Sequence, residues 1–167
     1  MINALGGLTA IAISHPHYYT TMVEWSRAFD CPVYLHAADR EWVMWPDQCI
    51  EFWDGDTCSI AGGLTLIRCG GHFEGSTVLH WPDGADGKGA LLTGDIIQVV
   101  QDRAWVGFMY SYPNFVPLNA DAVRRIASAI ETYQFDRIHG AFWGWVVDAD
   151  AKTAVQRSAD RYIAAIG

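Results

Sequence analysis

The sequence predicts a mixed α/β (α+β) fold in a single domain spanning residues 1–167. Three observations carry the prediction. Short apolar runs rich in β-branched residues, such as Leu8 to Ile13 and Pro32 to His36, are too brief for helices and end at turn residues. Two longer segments, beginning near Asn119 and Asp150, repeat apolar residues at helical spacing. A content of 51% hydrophobic against 18% charged residues is enough to close a core in a chain of this size.

Taken in order, Leu8 to Ile13 reads as a buried strand that runs into the loop Ser14-His15-Pro16, because the residue before a proline favours extended backbone. Thr20 or Thr21 then caps a helix through about Phe29. Pro32 to His36 forms a second strand, and Ile50, Phe52, Leu64 and Leu66 mark further strands around the Asp54-Gly55 and Gly62-Gly63 turns. Ser76 to Trp81 and Gly89 to Thr93 form a hairpin across the Pro82-Asp83-Gly84 loop. Asn119 or Asp121 caps a helix with Val123, Ile126, Ala127 and Ile130 on one face. Arg137 to His139 is a minimal strand, and Asp150 to Ile166 a last helix carrying Ala154, Val155, Ala159, Tyr162 and Ile163 at helical spacing.

The composition also excludes partners. Lys and Arg number 11 against 19 Asp and Glu, and the formal charge of −8 repels a phosphate backbone, so no nucleic acid is expected. No apolar run approaches the roughly 20 residues of a membrane span. Met1 to Ala4 shows no basic leader before an apolar stretch, so the expected location is cytoplasmic. Cys31, Cys49, Cys58 and Cys69 form no C-x-x-C pair and are expected to be free thiols.

Four residues stand out chemically. His15 and His17 lie two apart just after a strand, where both rings can leave the backbone on one side. In Cys69-Gly70-Gly71-His72 a glycine pair ends a strand and leaves a third histidine free to be aimed. Asp95, in Leu91-Leu92-Thr93-Gly94-Asp95, ends another buried strand, where an uncompensated carboxylate costs several kcal/mol and favours a nearby cation. Three imidazoles and a carboxylate suit one tetrahedral Zn²⁺ and remain acceptable to Fe²⁺ or Mn²⁺. His36 and His80 lie on strands and read as structural, while the adjacent pairs Asp39-Arg40, Asp102-Arg103 and Asp136-Arg137 read as solvated turn residues. The aromatic segment Trp105 to Pro117 reads equally as the wall of an apolar pocket or as core and subunit contact.

The order strand, His-x-His, helix, then Gly-Gly-His-x-x-Gly-Ser, strand, then Thr-Gly-Asp resembles the metal-binding core of the metallo-β-lactamase fold superfamily, from about Leu8 onward. The resemblance implies an αββα sandwich in which His15, His17, His72 and Asp95 are metal ligands. It also exposes departures: Tyr19 and Thr20 replace the Asp and His that end the family's first motif, and Ala141 falls where its final histidine would sit, with His139 two residues away. The second metal site is therefore degenerate, and one zinc per chain is expected. Tyr19 or the adjacent Tyr18 is then placed to donate a hydrogen bond to a developing oxyanion, with Asp95 as the proton acceptor.

The resemblance implies a metal-dependent hydrolase acting on a small-molecule ester, lactone, thioester or phosphoester. Two alternatives stand beside it: a non-catalytic module with a structural metal or none, acting by binding or assembly, and an iron-handling oxidoreductase, which would need the missing second-site ligands. The family's first strands normally precede the His-x-His motif, and only about a dozen residues do so here. The domain is thus expected to be incomplete at its N-terminal side, with a homodimer completing the sheet.

Overall fold

Two β-sheets, each with helices on its outer face, organise a computed structural model that describes residues 1–166. The first sheet holds three parallel strands in the order β1 (Ile11–Ala12), β2 (Val33–His36) and β3 (Ile50–Trp53). Parallel neighbours need a crossover, and helix α1 (Met22–Phe29) supplies it between β1 and β2. The expected strand over Leu8 to Ile13 shrinks to two residues because the chain leaves the ladder early. The Ser14 carbonyl accepts instead from the Thr77 N–H of the other sheet, at 2.9 Å.

That second sheet runs β13 (Val146–Val147), β12 (Arg137–Gly140), β7 (Ala90–Gly94), β6 (Thr77–Trp81), β5 (Leu64–Arg68), β4 (Thr57–Ile60). Only the β12–β7 pair is parallel. The expected hairpin is β6–β7, joined through a single turn, α2 (Gly84–Gly87). Two short ribbons follow β7, pairing β8 (Gln98–Val99) with β9 (Val106–Gly107) and β10 (Met109–Ser111) with β11 (Val116–Pro117).

The last two helices pack on one face of the larger sheet. Asn119 caps α3 (Ala120–Ile130) by accepting from the Ala122 N–H at 2.8 Å, and Val123, Ile126 and Ile130 are its buried stripe. At the start of α4 (Ala151–Ile166), Asp136 accepts from the Asp150 N–H at 2.8 Å, and Ala154, Val155 and Ala159 face inward. These side chains meet Ile67, Val78, Leu91 and Ile138 of the sheet in the larger core. A separate, smaller cluster joins Tyr19, Met22 and Val23 to Val33 and Leu35. His80 donates to the Gln134 carbonyl and His36 to that of Gly55, both structural roles. The four cysteines are free. No helix among the described residues is long and apolar enough to cross a membrane.

Ile126 is fully buried in the larger core. Ile126→Ala should destabilise the fold by about 2–5 kcal/mol in urea titrations, whereas Trp143→Ala, at a fully exposed position, should change it by less than about 0.5 kcal/mol.

Candidate metal centre

Three chain segments bring four side chains together at one end of the two sheets. His15 follows β1, His17 sits in the 3-10 turn Pro16–Tyr18, His72 lies between β5 and β6, and Asp95 comes directly after β7. Pro16 starts the turn after an extended His15, since its fixed φ suits a helical first position and its missing N–H is no loss there. The turn brings the second ring of the His-x-His pair back over the first. One ligand atom from each of His15, His17, His72 and Asp95 lies within 4.8 Å of all the others. The three imidazoles stand edge-on to one another, with centroid separations of 5.0 Å for His15 and His17, 4.8 Å for His15 and His72, and 5.0 Å for His17 and His72.

The surroundings orient these rings. His72 donates its Nδ1–H to the Tyr110 carbonyl at 2.9 Å, which leaves the Nε2 lone pair for the cluster. His15 Nδ1 is hydrogen-bonded to Ser14 Oγ at 2.9 Å. That contact depends on Gly94, whose φ is +52° and where a Cβ would lie 2.6 Å from Ser14 Oγ. The other nitrogen of His15, Nε2, is buried without a hydrogen-bond partner, and the nearest carboxylate oxygen, Asp95 Oδ2, is 3.5 Å away, beyond good hydrogen-bond length. An orphaned imidazole nitrogen beside a carboxylate and two further nitrogens is a donor set that a borderline-soft divalent cation satisfies.

The electrostatics agree. Burial, reinforced by the neighbouring His15, lowers the pKa of both His17 and His72, favouring the neutral, ligating form. The His15 ring holds the Asp95 carboxyl below its ordinary value against the effect of burial. Tyr18 packs edge-on against His15 at 4.8 Å, and burial followed by the Asp95 charge raises its phenol pKa. The Phe73 ring touches all three histidines and meets Trp42 at 5.5 Å, while Tyr112 lies 6.4 Å from His72. The aromatic segment thus divides: Phe108 is core, and Tyr110 and Tyr112 border the site.

Tyr19 lies elsewhere. It is buried in the smaller core beside Asp39, so Tyr18 rather than Tyr19 reaches the histidines. His139 does not join the four-residue cluster, and Thr20 is exposed. Asp39 itself corrects the reading of a solvated turn residue. It is 1% exposed, its Oδ1 accepts from the Gly75 N–H at 2.7 Å, and its Oδ2 has no partner. A Cβ on Gly75 would meet the Asp39 carboxyl carbon at 2.8 Å, so only glycine admits this bond. Through it Asp39 anchors the turn that carries His72. No sequence motif singled it out; the Gly-Ser after His72 was the available signal.

Comparison with known proteins places this geometry on a known fold. A B3 metallo-β-lactamase with an active-site glutamic acid superposes with a TM-score of 0.65 at 16% identity, over 99% of this chain and 73% of that one. The metallo-β-lactamase SMB-1, in complex with mercaptoacetic acid, gives 0.64 at 16% identity, over 99% and 78%. The chemotaxis sensor ODP, solved as a peroxy di-iron species, gives 0.63 at 18% identity, over 93% and 70%. The chain has the metallo-β-lactamase fold, and its histidine–aspartate cluster is a candidate metal-binding site on it. No protein-family model matches. In sequence, the chain is 56% identical over 165 residues to the uncharacterized protein YmaE of Bacillus subtilis (strain 168), a match covering 99% of this chain and 60% of YmaE. It therefore spans 60% of the length of that curated relative.

Two substitutions test the supports. Gly94→Ala forces a left-handed alanine against Ser14 and should lower stability by about 1–3 kcal/mol in urea. Asp39→Ala strands the Gly75 N–H at about 1–3 kcal/mol, whereas Asp39→Asn keeps the acceptor. Burial raises the Asp39 pKa, so the native state binds its proton more tightly than the unfolded chain, and wild-type stability falls as pH rises from the ordinary carboxylate value through the raised one. The stability of Asp39→Asn relative to wild type should therefore increase with pH across that window.

Proposed function

We propose that the chain is a metal-dependent hydrolase with one metal ion, zinc, held by His15, His17, His72 and Asp95. The observation that carries the reading is the buried, unpartnered His15 Nε2 facing three other ligating groups. With Asp95 bound weakly or left outside the ion's shell, zinc on the three imidazoles would supply Lewis acidity and a water whose pKa falls to about 7. The chain's own groups complete the chemistry. Asp95, held ionised, accepts a proton at its carboxylate. Tyr18, kept protonated by burial and by Asp95, donates a hydrogen bond to the oxygen on which negative charge develops in the substrate. Trp42, Phe73 and Tyr112 offer apolar surface to the rest of an ester, lactone, thioester or phosphoester.

A second reading, a non-catalytic module with a structural metal, is favoured by the degenerate second site, where Tyr19, Thr20 and Ala141 offer no imidazole or carboxylate. The same residues weigh against a binuclear iron centre of the kind in the sensor ODP.

Elemental analysis of the purified protein beside a His72→Ala variant is the test. About one zinc per chain, lost in the variant, is the expected result. No metal after reconstitution overturns the proposal, and bound zinc without turnover of any of the four substrate classes transfers support to the module reading.

A further inference from the structure

Away from the metal centre, a cleft of about 620 Å³ opens between α3 and the β4–β5 edge of the larger sheet, a volume in the range of small-molecule sites. Ile67 and Cys69, which belong to the core beneath α3 and α4, line it, so it lies on the helix-covered face of that sheet. None of His15, His17, His72 and Asp95 borders it. One wall is polar: Arg125 and Ser128 on α3 and Thr132 just past its end recur at helical spacing, beside the buried stripe of Val123, Ile126 and Ile130.

Arg125 is the feature that points to a ligand. The chain holds 11 Lys and Arg against 19 Asp and Glu. Among the described residues every other Lys and Arg has a carboxylate, a carbonyl oxygen or an aromatic ring against it. Arg125 has none of these, yet its guanidinium is seated. It lies across Gly70, where a Cβ would stand 2.7 Å from one of its terminal nitrogens, and the φ of +66° there also calls for glycine. The backbone thus makes room for a cation that no group of the chain neutralises. Across the cleft, Arg68 donates from Nε to the Glu74 carbonyl at 3.1 Å and from a terminal nitrogen to the Glu74 carboxylate, and its remaining N–H groups stay available.

We propose that this cleft binds a small molecule bearing a phosphate or carboxylate group, held by Arg125 and Arg68 with the Ser128 hydroxyl as a further donor. The planar guanidinium fork matches either oxyanion. The last turn of α3, with Thr132 and Tyr133 beyond it, presents the negative end of the helix dipole, so that part of the cleft suits an uncharged, hydroxyl-bearing body. Two carboxylates also line the cleft. Glu74 is matched by Arg68, and Asp56 is exposed, where water screens its charge and leaves it free to accept from a ligand hydroxyl.

The test is an NMR titration of the purified protein at constant ionic strength, with inorganic phosphate and with succinate as separate probes, repeated on Arg125→Ala and His17→Ala. Saturable shifts of the Gly70, Arg125 and Ser128 amides are expected with at least one probe, and the tighter of the two tells phosphate from carboxylate. Arg125→Ala should weaken binding by about tenfold or more, the loss of a charge-assisted hydrogen bond, and His17→Ala should leave it unchanged. Both substituted side chains are exposed and alanine favours the helix at position 125, so the fold is kept. Binding of neither probe, shifts indifferent to Arg125→Ala, or binding abolished by His17→Ala, which places the anion on the metal centre, overturns the proposal.

Discussion

A ring nitrogen sealed from water with nothing to bond is an expensive feature. For His15 Nε2 the desolvation of a lone polar atom amounts to about 1–3 kcal/mol, a noticeable share of the stability of a small domain. The surroundings make that position deliberate rather than incidental. Ser14 fixes the opposite nitrogen, Gly94 gives Ser14 room, the Tyr110 carbonyl sets the tautomer of His72, and Asp39 holds the turn on which His72 rides. Each contact turns a nitrogen or an oxygen toward a common point. A cation there relieves the orphaned atom and the crowding of four donors in one step, which is why the cluster reads as a site and not as an accident of packing.

Much of this was legible in the sequence because the candidate ligands sit in local patterns. His15 and His17 flank a proline after a strand, His72 follows a glycine pair, and Asp95 closes an apolar run. The helices were equally plain, since Val123, Ile126 and Ile130 recur at helical spacing behind an asparagine cap. What the sequence concealed depends on contacts distant along the chain. Asp39 beside Arg40 looks like a solvated pair, and only the approach of Gly75, 36 residues later, makes it a buried anchor. Tyr18 and Tyr19 are indistinguishable as neighbours in sequence. The 3-10 turn sends one toward His15 and the other into the smaller core, and the turn's phase is a three-dimensional fact. The early end of β1 has the same origin, because Ser14 is drawn off by Thr77 of the other sheet.

Ser14 to Thr77, Asp39 to Gly75 and the cluster itself all span the two sheets. The two sheets are two leaves joined by these contacts. Each leaf has its own apolar filling, and polar bonds form the binding between them.

This division of the candidate ligands would give metal occupancy a thermodynamic role beyond chemistry. His15 and His17 belong to one leaf, His72 and Asp95 to the other, so an ion held by all four is a cross-link as much as a cofactor. A ligand bound only by the folded state adds about 2.7 kcal/mol when present at a hundred times its dissociation constant. Availability of the ion would then govern the lifetime of the folded chain itself, since a molecule that loses it surrenders part of the coupling between its halves and becomes easier prey for proteolysis.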